Sequence, residues 1–394
     1  MTNSEKITCD AGNLYRAFQN ARESSPKKCS TKRMSQHVLD EIKRAQDELH
    51  NRTWTIEKLK PFIIYERGHK RKIEGNTPYD RMIIHSFIDN YLFPKIQPFL
   101  MYDNYASQAG KGPDMARQRF EDYMHQCYRK YGTNHFFVLI IDFSNFYDNV
   151  RHDKLMRSLD PIIHGDDFAI WFIETILKSF EVDVSYMTDE EYAVCLDEKY
   201  VALDHIDDPP EMHTGEKFMK KSINIGNQGS QDFSIFLPTP IDNYIKIVKG
   251  IPEAGRYMDD YSVMNISKEY LWKLLDEIRP ICKDLGLFIN EKKTQVYPAW
   301  KCVKYLNRRY TMTETGHLII TLSPSTVTRE RRKLKKMKGL MENGEKSYKE
   351  IENQYKSWIR KFAARMSKKQ IRNMDDLFND LFVNPFIRGV KNED

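Results

Sequence analysis

Six consecutive apolar residues, Phe136 to Ile141 (FFVLII), stop abruptly at Asp142. A short, unbroken apolar run suits a strand buried on both faces, so a carboxylate is expected at the end of a core strand. Residues 256–266 (RYMDDYSVMNI) set two short apolar or aromatic arms around Met258-Asp259-Asp260, the pattern of a tight hairpin with carboxylates at its tip. A strand end and a hairpin tip can bring two or three carboxylates together. Like charges at such close quarters resist ionising unless a cation lies between them. Mg²⁺ prefers oxygen ligands and commonly takes one or two carboxylates plus substrate phosphates. Two such ions about 3.5–4 Å apart activate an attacking hydroxyl and stabilise a departing pyrophosphate. Each Asp alone would be an ordinary cap or turn residue; together they point to nucleotidyl transfer.

The rest of the chain supplies helices and charge. Residues 12–60 read as helical, with Val38, Ile42, Ala45 and Leu49 on one face. Residues 61–74 (PFIIYERGHKRKIE) look like a hairpin whose return strand is basic. Thr77-Pro78-Tyr79-Asp80 opens a further helix. Residues 268–285 return to helical spacing, although Pro280 argues for a kink or an early stop. Between 181 and 211 eleven acidic residues face one base, Lys199, whereas between 329 and 372 sixteen Lys or Arg face five Glu. The net charge of +6 is therefore concentrated near the C-terminus. Such a run is either a solvated helix face or a phosphate-backbone grip, the latter favoured by the interleaved Tyr348, Tyr355, Trp358 and Phe362.

Several classes are excluded on these grounds. FFVLII is the longest apolar run, far short of the roughly 20 residues a membrane helix needs. The first ten residues, MTNSEKITCD, carry neither a signal-peptide core nor an Arg-rich amphipathic pattern. Six cysteines without a CxxC pair imply reduced thiols and no structural zinc, and hence a soluble cytoplasmic protein.

With these residues in view, the sequence resembles the prokaryotic reverse transcriptases. Asp142-Phe143-Ser144-Asn145-Phe146-Tyr147 resembles the family's first catalytic motif, and Tyr257-Met258-Asp259-Asp260 its YxDD signature, in the right order. Asp80-Arg81, Tyr105-Ala106 with Gly110-Lys111-Gly112, and Gly286-Leu287 through Thr294 resemble further finger and palm motifs. The resemblance is closest to the diversity-generating retroelement and group II intron-like enzymes; the segment Ile225-Gly226-Asn227-Gln228-Gly229-Ser230-Gln231 has the form IGxxxSQ, similar to the error-prone enzymes of diversity-generating retroelements, in place of the QGxxxSP of most bacterial relatives, group II intron enzymes included. Gln108, Ile235 and Tyr305-Leu306-Asn307 depart from the pattern, the last leaving the primer grip without a match.

The resemblance implies an α+β right-hand polymerase fold: an N-terminal helical region over 1–60, fingers over 61–135, a palm with an antiparallel sheet over 136–310 carrying an acidic insertion at about 181–211, and a basic helical thumb over 311–394. It implies that Asp142, Asp259 and Asp260 are catalytic and hold two Mg²⁺, with Mn²⁺ able to substitute. Arg71, Phe143, Tyr147, Gln231 and Lys293 would meet the dNTP, Tyr147 as a gate against a ribose 2′-hydroxyl and Lys293 as a proton donor to pyrophosphate. Gly226, Gln228, Tyr257, Arg331, Arg332, Lys335 and Lys336 would meet template and primer. The partners implied are an RNA template, a DNA or RNA primer and dNTPs, with room for a non-coding RNA, an accessory protein and an oligomer. The resemblance covers about residues 13–380, which leaves no room for a nuclease domain of on the order of 100 residues. An antiviral defence enzyme on the same fold and a non-catalytic RNA-binding scaffold are the alternatives.

Overall fold

The structure is a computed structural model that describes residues 1–23, 26–57, 60–66, 69–199 and 212–383, without the side chains of 60–72 and 74. It is a mixed fold of helices and antiparallel sheets in two compact units. The first unit comprises Met1–Arg119, Leu139–Val263 and Glu269–Val296; the second comprises Phe120–Val138, Met264–Lys268 and Tyr297–Asp394.

The first unit begins with the helices Asn3–Thr8, Ala11–Glu23, Cys29–Gln36 and Val38–His50. Ile42, Ala45 and Leu49 are buried as the sequence periodicity requires. The helix Pro78–Phe87 carries Pro at its start and packs against Ala11–Glu23. Its Asp80 is an anchor rather than a surface group: the carboxylate accepts from Thr77 Oγ1 (2.8 Å), Trp54 Nε1 (3.2 Å) and the backbone N–H of Glu57 (3.3 Å). Desolvation nonetheless pushes this carboxyl up to about 6. Trp54 in turn stacks on Phe172 at 4.9 Å, and Phe172 on Phe87 at 4.2 Å, which joins the N-terminal helices to the helix Asp167–Lys178.

The expected hairpin at 61–74 forms as β1 (Lys60–Glu66) and β2 (His69–Gly75), antiparallel from Lys60↔Gly75 to Glu66↔His69. FFVLII forms β3 (Phe137–Ile141), with Val138 through Ile141 all buried. Two short strands, β4 (Val182–Asp183) and β5 (Phe218–Met219), pair beside the acidic segment. The hairpin around Met258 forms as β6 (Ala254–Tyr257) and β7 (Asp260–Asn265). With β8 (Gln295–Pro298) these make a sheet of order β6-β7-β3-β8, so β3 and the hairpin lie side by side.

The acidic segment includes the helix Asp189–Asp197, whose start is fixed by a capping box between Thr188 and Glu191. Its Asp189, Glu190 and Glu191 fall in the first turn, where the helix dipole favours negative charge. Residues 200–211 lie outside the described residues. The early stop that Pro280 suggests does not occur, and the helix continues from Lys268 to Leu285. A helical proline costs about 3 kcal/mol. Six buried side chains on one face (Leu271, Leu274, Leu275, Ile278, Cys282 and Leu285) outweigh that cost at about 1.5–3 kcal/mol for each large one.

In the second unit, β9 (Val303–Tyr305), β10 (Arg308–Met312) and β11 (Leu318–Leu322) form a sheet of order β11-β10-β9. Phe120 stacks on Tyr305 at 4.5 Å, and Arg308 pairs with Glu121 at 2.8 Å. The basic helical segment expected from 311 starts only at Pro324, because residues up to Leu322 complete this sheet. The helices Pro324–Glu342, Tyr348–Phe362 and Lys368–Phe382 enclose a core of Leu334, Met337, Ile351, Tyr355, Met374, Phe378 and Phe382. Tyr348, Trp358 and Phe362 pack against the same core. The interleaved aromatic residues that favoured a phosphate-backbone grip are therefore internal packing of the bundle.

Asp232 provides a test of packing in the first unit. It lies fully buried on the helix Gln228–Phe236, where Gln228 Nε2 donates to its Oδ2 at 3.2 Å and its Oδ1 has no partner. Burial pushes the carboxyl from its ordinary 3.8 up to about 8. The folded state thus keeps a proton that the unfolded chain releases near pH 4. The associated stability is complete below that pH and is lost as pH rises through about 8. The melting temperature of Asp232→Asn is expected to gain on the parent's between pH 5 and pH 8. A constant gap between the two would contradict this.

Candidate active site

Asp142 follows β3 directly, and its backbone is clamped from both sides. Its N–H donates to Thr294 Oγ1 at 3.2 Å, and its carbonyl accepts from the N–H of Asn290 at 2.8 Å. The next residues stay tied to the same segment: the N–H of Ser144 donates to the Phe288 carbonyl (2.7 Å), and Phe143 bridges Ile289. The Asp142 carboxylate is thereby aimed from a fixed point. Its Oδ1 is buried and accepts no hydrogen bond, while the Lys293 ammonium lies 3.2 Å from Oδ1 and 3.3 Å from Oδ2.

The register Tyr257↔Asp260 makes Met258-Asp259 the two-residue turn of the β6–β7 hairpin. Met258 takes φ +55°, a left-handed conformation that glycine usually supplies in such turns. Holding a methionine there requires external support, and a network of buried groups provides it. The Arg256 guanidinium is fully buried; it donates to Asp242 (2.7 Å), to the Ile235 carbonyl (2.7 Å) and to the Met258 carbonyl within the turn (3.2 Å). Tyr261 donates to the other Asp242 oxygen at 2.7 Å. Burial opposes the charge on Arg256, but the neighbouring Asp242 carboxylate raises its pKa above the ordinary guanidinium value. The backbone of Arg256 is stitched to the Tyr105-Ala106 segment, with its N–H donating to Asp103 (2.9 Å) and its carbonyl accepting from Tyr105 (3.0 Å). Gly255 is required beside it, since a Cβ there would stand 2.8 Å from the Tyr105 hydroxyl.

Two contacts join the Asp142 segment to this turn. The rings of Phe143 and Tyr261, the residues after Asp142 and Asp260, lie 6.0 Å apart edge to face. The Tyr147 hydroxyl reaches Met258 Sδ at 3.8 Å and Ser234 Oγ at 3.4 Å. Asp142, Asp259 and Asp260 are thus brought to one end of the sheet. Among the described residues, no group of three or more His, Cys, Asp or Glu is gathered tightly enough to hold a metal. The arrangement fits a divalent cation in the shared manner, with one or two carboxylates and the remaining ligands from phosphates. Asp142 Oδ1 accepts no hydrogen bond and is matched only by the exposed Lys293 ammonium, which a cation would displace.

The other expected site residues fall in three groups. Tyr147 and Tyr257 are half-buried at the turn, and Gln231 accepts from Ser107 Oγ at 3.4 Å. Gly226 is exposed with φ +119° just before Asn227, which caps the helix carrying Gln228 and Gln231. Phe143, expected at the nucleotide, has its ring buried between Phe146 and Tyr261, so its side chain belongs to the core. Gln228, expected at the template, has its amide engaged by Asp232. The side chain of Arg71 lies outside the described residues. Arg331, Arg332, Lys335 and Lys336 are all exposed on Pro324–Glu342, in the second unit.

No protein-family model matches the chain. HAUS augmin-like complex subunit 6 of Homo sapiens is 25% identical over 140 residues, which is 34% of this chain and 14% of that protein. Among solved structures, apo telomerase from Candida tropicalis is similar at 15% identity and a TM-score of 0.41, over 67% of this chain and 48% of that one. Telomerase from Candida albicans, solved in complex with a fragment of telomeric RNA, is similar at 12% identity and a TM-score of 0.44, over 84% of this chain and 59% of that one. The chain spans about half the length of these telomerases. Likenesses this loose assign neither fold nor activity.

The ion pair beneath the turn makes a sharp prediction. Removing one member of a buried pair costs about 3–5 kcal/mol because the other charge is stranded, whereas replacing both with apolar groups costs far less. Arg256→Met is therefore expected to lose stability by that amount, and Arg256→Met with Asp242→Leu to recover most of it in denaturant unfolding. Additive losses would show that the pair does not act as a unit.

Proposed function

We propose that the chain is an RNA-directed DNA polymerase that extends a primer 3′-hydroxyl with dNTPs, with Asp142, Asp259 and Asp260 as its catalytic carboxylates. The observation that carries this reading is the seating of Asp142 against the Met258–Asp260 turn, through the Phe143–Tyr261 and Tyr147–Met258 contacts. Divalent Mg²⁺ bound by these carboxylates and by substrate phosphates would supply activation of the hydroxyl and stabilisation of pyrophosphate. In the reaction, the 3′-oxygen forms its bond to the α-phosphate as the bond from the α-phosphorus to the bridging oxygen breaks.

The chain's own residues do the positioning. Tyr147, held by Ser234 and Met258, would act as the gate against a ribose 2′-hydroxyl. Lys293 pairs with Asp142 and would hand a proton to departing pyrophosphate. Gln231 and Gly226 would face the nascent pair. Arg71 would reach the triphosphate, and the exposed bases of Pro324–Glu342 would grip the template–primer backbone in a salt-dependent manner. The right-hand arrangement of fingers, palm and thumb belongs to this proposal, with β3, β6, β7 and β8 as the palm sheet. The IGxxxSQ form of 225–231 favours an enzyme of the diversity-generating retroelement type, copying RNA with frequent errors.

The test is primer extension by purified protein on an RNA template with dNTPs and Mg²⁺. The parent is expected to incorporate, Asp259→Asn to fall to background, and Tyr147→Ala to accept ribonucleotides that the parent rejects. Undiminished incorporation by Asp259→Asn would contradict the assignment. So would a parent that remains inert on the RNA that copurifies with it.

A further inference from the structure

Ser234 lies fully buried on the helix Gln228–Phe236, and its hydroxyl meets three separate parts of the candidate site. It donates to the Gln231 carbonyl at 2.7 Å, which spends its proton and leaves its lone pairs free to accept. The Tyr147 hydroxyl, 3.4 Å away, is therefore the donor in that pair. Met258 Sδ stands 3.9 Å from the serine oxygen and 3.8 Å from the tyrosine oxygen. One buried oxygen thus joins the helix bearing Gln231, the ring of Tyr147 and the turn that presents Asp259.

Tyr147 is fixed at its other end by the backbone. It lies on the four-residue helix Phe146–Asn149, entered through Asn145 in a left-handed conformation (φ +46°). Its carbonyl accepts from the N–H of Ile223 at 3.0 Å, and the buried Phe146 meets its ring edge to face at 5.7 Å. These contacts set where the ring begins, while Ser234 and Met258 meet its hydroxyl end. A thioether is a weak acceptor, so of these two the serine is the stronger hold.

We propose that Ser234 is a positioning residue for sugar selection: by accepting from the Tyr147 hydroxyl, it keeps the ring where it excludes ribonucleotides, so that the site takes 2′-deoxy substrates. This rests on the polymerase reading and on Tyr147 as its gate. Exclusion by collision needs a ring that does not give way, since a misplacement of about 1 Å is enough to change a rate by about a hundredfold. The position of the ring, and not its bulk alone, then sets the discrimination. A single neutral hydrogen bond supports a several-fold share of it.

The test is single-nucleotide primer extension by the purified full chain on an RNA template with Mg²⁺, reading kcat and KM separately for a dNTP and its ribonucleotide. Ser234→Ala is expected to raise kcat/KM for the ribonucleotide about fivefold relative to that for the dNTP. Ser234→Thr, which keeps the hydroxyl, is expected to hold the parent's ratio. In a Tyr147→Phe background the donor is already gone, and Ser234→Ala is expected to add nothing further. If the extra methyl of Thr prevents folding, that background gives the same answer. A ratio unchanged in Ser234→Ala, while Tyr147→Ala admits ribonucleotides, would overturn the role of Ser234 and leave the polymerase reading standing. So would equal losses on both sugars, which mark a packing defect. A parent that incorporates neither sugar removes the polymerase reading itself, and the proposal with it.

Discussion

The buried Arg256–Asp242 ion pair is the constraint on which the candidate site depends. A two-residue turn that places Met258 at a left-handed φ and presents two carboxylates at its tip is unfavourable on both counts. Arg256 offsets this from beneath by donating to the Met258 carbonyl, and Asp242 and Tyr261 hold Arg256 in turn. A guanidinium suits this role better than an ammonium, because its planar fork reaches three acceptors at fixed angles. The same residue carries the backbone bonds that attach Tyr105 to the β6 edge, so one side chain and its peptide groups position both the turn and its neighbour.

The parts of this arrangement that the sequence reveals are the local ones. FFVLII reads as a buried strand because six apolar residues without a break have few other uses at that length. The hairpin reads from its arms, and the Thr77-Pro78 start from its cap. Pro280 misleads because propensity sees a missing N–H and not the six buried side chains that hold the helix together. The C-terminal aromatics mislead for a related reason: Tyr348, Tyr355, Trp358 and Phe362 recur at helical spacing, and such a stripe faces a core whatever charge surrounds it.

Long-range polar pairs were not legible. Asp242 lies fourteen residues before Arg256, on the helix Thr239–Asn243 rather than on β6, and nothing in either neighbourhood marks them as partners. Lys221 looks like an ordinary surface lysine in a Lys-Lys-Ser stretch, yet it is fully buried on three carbonyls. Asp232 follows the recognised Gln231 and yet keeps a buried, half-satisfied carboxyl. In each case the residue type argues for the surface, and the tertiary packing supplies partners that sequence spacing does not encode.

The central claim is that Asp142 and the Met258–Asp260 turn make one carboxylate site. It is tested most directly by counting bound Mn²⁺ by electron paramagnetic resonance, with primer–template and dNTP present, in the parent, Asp142→Asn, Asp259→Asn and the double variant. One shared site predicts that either single variant abolishes most of the binding and that the double variant loses little more. Independent, additive losses, or binding indifferent to all three substitutions, would contradict it.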